Sequence, residues 1–141
     1  WGKGVEMATG LNHLHTNLAH LLVLFALTST VLAVLGAGRK PSLAAVMTKV
    51  HAYGVMMLGR LIYVAGLGLA MVTGHSFAQP WILGGLLLWG AVEVAGKRLV
   101  SAELATASDG TVGSSKVALG AGIQLVVIVV IYGLMYVKPT F

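Results

Sequence analysis

Four long apolar segments dominate this sequence and decide what the chain can fold into. Each has the length of about 20 residues that an α-helix needs to cross the hydrocarbon core of a bilayer. The chain of 141 residues has nine basic and four acidic side chains, whereas soluble domains carry roughly a quarter of their residues as charged side chains. The sequence therefore predicts an all-α polytopic membrane protein, an antiparallel bundle of four transmembrane helices in a single domain.

Prolines, glycines and charged residues mark the ends of these segments. We expect helices over about residues 15–38, 41–74, 80–100 and 116–137. Pro41 and Pro80 stand at first helical positions, where the N–H group that proline lacks has no helical partner. The small and polar residues 101–115 are predicted to form the long loop before the last helix.

The basic residues predict the orientation in the membrane. Six of them fall on one side of the bundle: Arg39, Lys40, Lys49, Lys97, Arg98 and Lys116. Lys3 and Lys138 fall on the other side. Because cytoplasmic loops are enriched in lysine and arginine, we expect the turn at residues 39–41 and the loop at residues 101–115 in the cytoplasm. Both termini are then outside, and the expected location is a bacterial inner membrane.

One polar side chain from each helix is expected near the middle of the membrane. Counting 1.5 Å per residue puts four residues roughly 18–20 Å from the outer surface: Thr28, Arg60, Glu93 and Gln124. Because an unpaired charge there is costly, we predict an ion pair between Arg60 and Glu93, with Gln124 and Thr28 completing its hydrogen bonds. Three interpretations remain open: a contact that fixes helix packing, a pair of Glu93 with Lys97 one turn on, and a proton or ion path.

Histidines are the candidate ligands for a haem or a (bacterio)chlorophyll, because imidazole is a common axial ligand. The candidates are His20, His51 and His75. His20 and His51 are separated by roughly 25 Å along the membrane normal, so these two do not share one haem. A pair among His13, His15, His20 and His75 could hold one, with only His20 inside an apolar stretch; the candidates are a haem on His20 and His75, or one chlorin on each histidine. Alternatively, His20 is held by interfacial hydrogen bonds and His51 contacts headgroups. His13 and His15 are expected to be solvated.

Several classes of function are excluded by what the sequence lacks. It has no cysteine, which excludes disulfides and thiolate metal sites. It has no nucleophile elbow, no phosphate-binding loop and no pair of carboxylates within one site. No basic stripe is interleaved with aromatic residues as in nucleic-acid-binding proteins. We therefore predict no catalytic residues, no metal site and no nucleic-acid partner.

The second and third segments carry a family resemblance. KVHAYGVMMLGRLIYVAGLGLAMVTG is followed by PWILGGLLLWGAVEVAGKR. Over about residues 43–104 the chain resembles small bacterial four-helix membrane proteins of the SirB-like type, and more distantly the haem-linked HemJ-type protoporphyrinogen oxidases. The resemblance implies a four-helix membrane fold. If HemJ-like chemistry extended to this chain, Lys49 and His51 would be the matching positions.

Small residues are abundant on the helices and bear on function. The chain has 19 glycines, and Gly59, Gly66 and Ala70 form a stripe on the second helix. Such stripes allow helices to approach closely, either within the bundle or against lipids, flat cofactors or other subunits, including copies of this chain. Our leading hypothesis is a non-enzymatic subunit of a respiratory or photosynthetic redox complex that holds lipid or tetrapyrrole. The alternatives are a b-type haem or porphyrin-binding redox protein, and a proton-coupled transporter built on Arg60 and Glu93.

Overall fold

The computed structural model describes residues 2–108 and 115–138, and within these ranges the chain is helical and contains no strand. The helices occur in this order: α1 over Gly2–Leu32 with a π-helical end at Ala33–Ala37; α2 over Pro41–Lys49, a π-helical segment Val50–Met57 and Leu58–Thr73; α3 over Pro80–Ala95, a π-helical segment Gly96–Ser101 and Ala102–Ser108; and α4 over Lys116–Val137. Successive helices run antiparallel: Gly54 and Gly66 of α2 pack on Phe25 and His15 of α1, and Gly85 and Gly96 of α3 pack on Met135 and Gln124 of α4.

Three stretches of these helices are long and apolar enough to cross a bilayer: Gly2–Ala37, Pro41–Val72 and Lys116–Val137. They indicate a membrane protein. Within the described residues α3 does not reach this standard, because Glu93, Lys97 and Arg98 interrupt its apolar sequence.

The turns have the backbone that their residues predict. Lys40 and Gln79 are extended, and each is followed by the proline that begins the next helix. Gly36 has a φ of 104° and Gly74 a φ of 72°, which glycine adopts without the steric cost of a Cβ atom. Gly36 lies in the last turn of α1, and Gly74 directly follows Thr73 at the end of α2.

Two predicted boundaries are wrong. The first helix begins at Gly2 rather than near residue 15, because the polar segment contains no proline and its Ala8 and Leu11 are partly buried. The third helix continues to Ser108, so residues 101–108 are not a loop. There Leu104 and Ala107 are buried at 1% and 2% exposure. Residues 109–114 of the predicted loop lie outside the described residues.

The bundle has two halves that pack differently. In the turn-side half, which includes residues 39–41, all four helices contribute to one closely packed core: Ala33, Ala37, Ala44, Met47, Val100, Leu104, Ala107, Val117 and Ala121. The terminal-side half includes the start of α1, the turn at residues 74–79 and the end of α4. There α2 packs against α1, and α3 against α4. The segments Leu58–Thr73 and Pro80–Ala95 hardly contact each other, which leaves a space between them.

Candidate functional site

A cavity of about 740 Å³ occupies the terminal-side half of the bundle and is lined by all four helices. Its walls are mainly apolar and aromatic, and include Tyr63, Trp81, Trp89, Ile131 and Tyr132. Pockets that bind small molecules have volumes of roughly 300–1,000 Å³ and similar linings. The terminal-side half therefore has the size and composition of a ligand-binding site.

His15 is a half-buried polar residue of this cavity. Its Nδ1 lies 3.2 Å from the backbone oxygen of Ile62 on α2. The ring fits against Gly66, where a Cβ atom would lie 2.9 Å from its Cε1 atom. His15 was expected to be solvated, and that expectation is wrong because α1 extends to Gly2 and places His15 well inside the helix.

Arg60 and Glu93 form a bidentate ion pair between α2 and α3. The Nε and Nη2 atoms of Arg60 donate to the two carboxylate oxygens at 2.7 and 2.8 Å. Lys97 Nζ lies 3.7 Å from the same carboxylate, so the i,i+4 contact and the cross-helix pair coexist. The Arg60 side chain is 54% exposed and that of Glu93 20% exposed, which places the pair on the outer surface of the bundle.

The other two members of the predicted polar layer do not contact this pair, so that part of the prediction is wrong. Thr28 is exposed, and its hydroxyl donates to the Leu24 carbonyl of its own helix at 2.9 Å. Gln124 is 1% exposed and points into the bundle. The axial count fixes the depth of a residue but not the direction of its side chain around the helix.

Gln124 belongs instead to a buried network with His51. The Nε2–H group of His51 donates to Gln124 Oε1 at 3.0 Å, and Gln124 Nε2 donates to the Val92 carbonyl at 3.0 Å. Gln124 Nε2 also lies 3.5 Å from the sulfur of Met56. His51 is 1% exposed, so the expectation that it contacts headgroups is wrong. The network joins α2, α3 and α4.

Local backbone widening accompanies this network. His51 and Met56 lie in the π-helical segment Val50–Met57, and Gly96 begins the π-helical segment of α3. A Cβ atom at Gly96 would lie 2.6 Å from Gln124 Nε2 and 2.7 Å from the Met56 sulfur. Gly96 thus makes the space in which the amide reaches its partners.

His20 and His75 lie in the terminal-side half with different partners. His20 Nδ1 donates to the Thr16 carbonyl at 2.8 Å, and its Nε2 accepts from the Tyr132 hydroxyl at 2.8 Å. His75 lines the cavity and packs edge-on against Trp81, with ring centroids 5.6 Å apart. The roles of His20, His51 and His75 in holding a cofactor stay predictions. Across the two described ranges no group of three metal-ligating side chains occurs.

The position of His15 in the cavity wall is the feature of this site that the sequence did not predict. The predicted helix begins at about residue 15, yet no helix-breaking residue stands between His15 and the apolar run of α1. An uninterrupted helix from Gly2 is the signal that would have placed it inside the bundle.

Comparison of the chain with protein-family models, with curated proteins and with solved structures finds no match.

Proposed function

We propose that this protein is a non-enzymatic subunit of a larger membrane assembly, in which the surface around Arg60 and Glu93 packs against another transmembrane protein. The exposed position of this ion pair carries the proposal. Arg60 and Glu93 lie about 20 Å along their helices from Thr73 and Pro80, well inside a hydrocarbon core of about 30 Å. An isolated bundle would present these charges to lipid.

The hydrogen bonds of Arg60 support this contact. A guanidinium has five N–H groups, and Glu93 accepts from Nε and Nη2. The remaining N–H groups have no acceptor among the described side chains and carbonyls. A lipid tail offers them none, whereas a partner helix with a carboxylate, amide or hydroxyl does. Because Arg60, Glu93 and Lys97 sum to one positive charge, a carboxylate is the best complement.

The membrane arrangement is part of the same proposal. We propose that α3 is the fourth span, because it packs along α4 and its charged residues gain partners in the assembly. The excess of basic residues at the turn-side end favours the cytoplasm for the turn at residues 39–41. The termini are then outside, and the expected setting is a respiratory or photosynthetic complex of a bacterial inner membrane.

Site-specific photo-crosslinking in native membranes tests this proposal. A photoreactive residue at Leu61 or Val94, both exposed beside the ion pair, is expected to form a discrete protein adduct. The matched control is Leu27 on α1, which is 49% exposed and should label lipid. Equal labelling from Leu27 and Val94, or a chain that stays monomeric in mild detergent, would contradict the proposal.

The double substitution Arg60→Met with Glu93→Met separates association from internal stability. It replaces the pair by apolar groups of similar size, so the unfolding free energy of the purified bundle should change by less than about 1 kcal/mol. The crosslink from Val94 should disappear. The opposite result is a fall of about 3 kcal/mol in the unfolding free energy of the purified double variant, with the crosslink from Val94 retained. It would mean that the pair only fixes helix packing.

A further inference from the structure

We propose that the cavity in the terminal-side half binds a lipid-soluble phenol or quinol, whose ring hydroxyl donates a hydrogen bond to Nε2 of His15. This site is separate from the surface at Arg60, and neither proposal depends on the other. Four observations define the ligand: the lone pair of His15, the aromatic walls, the charge of the lining and the opening between α2 and α3.

The backbone contact of His15 determines which ring nitrogen is free. A carbonyl oxygen only accepts hydrogen bonds, so Nδ1 must carry the proton that reaches the Ile62 oxygen. In the neutral ring Nε2 is then an acceptor, and within the described part of the chain no hydrogen bond reaches it. A ligand that satisfies Nε2 must therefore supply an O–H or N–H donor.

The walls determine the body of the ligand. Trp81, Trp89, Tyr63 and Tyr132 give the cavity several flat aromatic faces, which favour a ring over a flexible acyl chain because aromatic pairs gain from stacked or edge-to-face contact. The lining residues of the described ranges include no acidic side chain, and Lys138 adds a positive charge near Trp81. A cationic ligand is disfavoured, and an uncharged phenolic ring fits.

The gap between α2 and α3 gives such a molecule a route from the bilayer. These helices meet where Trp89 packs on Gly59, beside the Arg60 and Glu93 pair. From that point toward the turn at residues 74–79 the two helices separate, since the segments Leu58–Thr73 and Pro80–Ala95 hardly contact each other. A lipid-soluble ring can enter laterally between α2 and α3, on the terminal side of the ion pair, without passing through water.

Two matched probes test the hydroxyl contact. Durenol (tetramethylphenol) carries the donor, and durene (tetramethylbenzene) has the same ring and methyl groups without it. Binding is measured from the rise in the unfolding temperature of the purified full chain in mild detergent. We expect durenol to bind about tenfold more tightly than durene, since the hydroxyl satisfies an otherwise unpaired acceptor.

Three variants assign the effect to this site. His15→Phe keeps a ring but removes the acceptor, so durenol affinity should fall about tenfold while durene affinity stays the same. His13→Phe, on the exposed side of the same helix, is the matched control and should change neither. Ala19→Phe places a ring in the cavity that Ala19 lines and should weaken both probes, which confirms the location if His15→Phe folds poorly.

Several outcomes would overturn the inference. Absence of any temperature shift with durenol, or equal affinities for durenol and durene, would show that the cavity has no working hydroxyl acceptor. An unchanged durenol affinity in a folded His15→Phe variant would place the acceptor elsewhere. A Soret band in the purified protein that disappears in His15→Phe would show that the metal of a tetrapyrrole occupies Nε2, and the ligand would then be a haem or a chlorophyll.

Discussion

The two halves of the bundle contain the same four helices but use their side chains differently. The turn-side half brings small residues together, with Ala37, Ala44 and Val100 completely buried. The terminal-side half has larger residues, such as Trp81, Trp89 and Tyr63, around an open space. Small side chains let helices approach closely, whereas aromatic rings hold helices apart. The difference indicates that one half stabilises the fold and the other half is available for binding.

The buried His51 and Gln124 network lies between these two regions. It connects α2, α3 and α4 next to the contact of Trp89 with Gly59, beyond which the terminal-side parts of α2 and α3 separate. A buried amide with satisfied partners specifies which helices pack together, because any other arrangement leaves polar groups unpaired. We infer that the network fixes the position at which the close packing ends and the cavity begins.

The largest effect that separates the two halves is expected from enlarging an alanine in each. Ala44→Leu adds three carbon atoms to a site with 0% exposure, and overpacking of this kind should cost about 3 kcal/mol. Ala19→Leu adds the same atoms beside the cavity, where they have room, and should cost less than about 0.5 kcal/mol. Unfolding by sodium dodecyl sulfate titration, followed by circular dichroism, measures both.

The relative losses of unfolding free energy in Ala44→Leu and Ala19→Leu test whether the two halves are packed differently. Similar losses in Ala44→Leu and Ala19→Leu would mean that the terminal-side half is packed as closely as the turn-side half. A larger loss in Ala19→Leu would reverse the assignment of stabilising and binding halves. A variant of the exposed Ala45, Ala45→Leu, controls for the added apolar surface beside Ala44 and should change the unfolding free energy least.

A smaller effect is expected from breaking the polar network. Gln124→Leu leaves the Nε2–H group of His51 buried without an acceptor, which should lower the unfolding free energy by about 2 kcal/mol. The double variant His51→Leu with Gln124→Leu removes donor and acceptor together and should recover most of this loss. The Val92 carbonyl keeps its helical bond from the Gly96 N–H group in both variants. A double variant less stable than Gln124→Leu would contradict a pairwise network.

The sequence predicts what depends on position along a helix axis. Pro41 and Pro80 begin helices because proline suits the first turn, and the structure places them there. Arg60 and Glu93 meet because each lies equally far from the same turn between α2 and α3. Their pairing needs no knowledge of the rest of the bundle, only the count of residues and the cost of an unpaired charge in lipid.

What depends on rotation about the axis was not predictable. Gln124 has the expected depth but points inward to His51 rather than to the ion pair. The π-helical segment Val50–Met57 changes the direction of the side chains on α2, and a uniform helical count does not include it. His15 was missed for another reason, because the sequence of its segment is too polar to resemble a transmembrane helix although it continues one.

A smaller loss than that of Gln124→Leu is expected at Tyr132, in the terminal-side half. Tyr132→Phe keeps the ring in the cavity wall and removes the hydroxyl that donates to His20 Nε2. Because His20 is exposed, an interfacial water can replace the hydroxyl, and the unfolding free energy should fall by less than about 1 kcal/mol. The control is Tyr136→Phe, whose 85% exposed ring should give no change. A loss above about 2 kcal/mol would show that the hydrogen bond of His20 is shielded from water. In that case the terminal-side half would depend on its polar contacts as strongly as the His51 network does, and the division between a stabilising half and a binding half would fail at this end of the bundle.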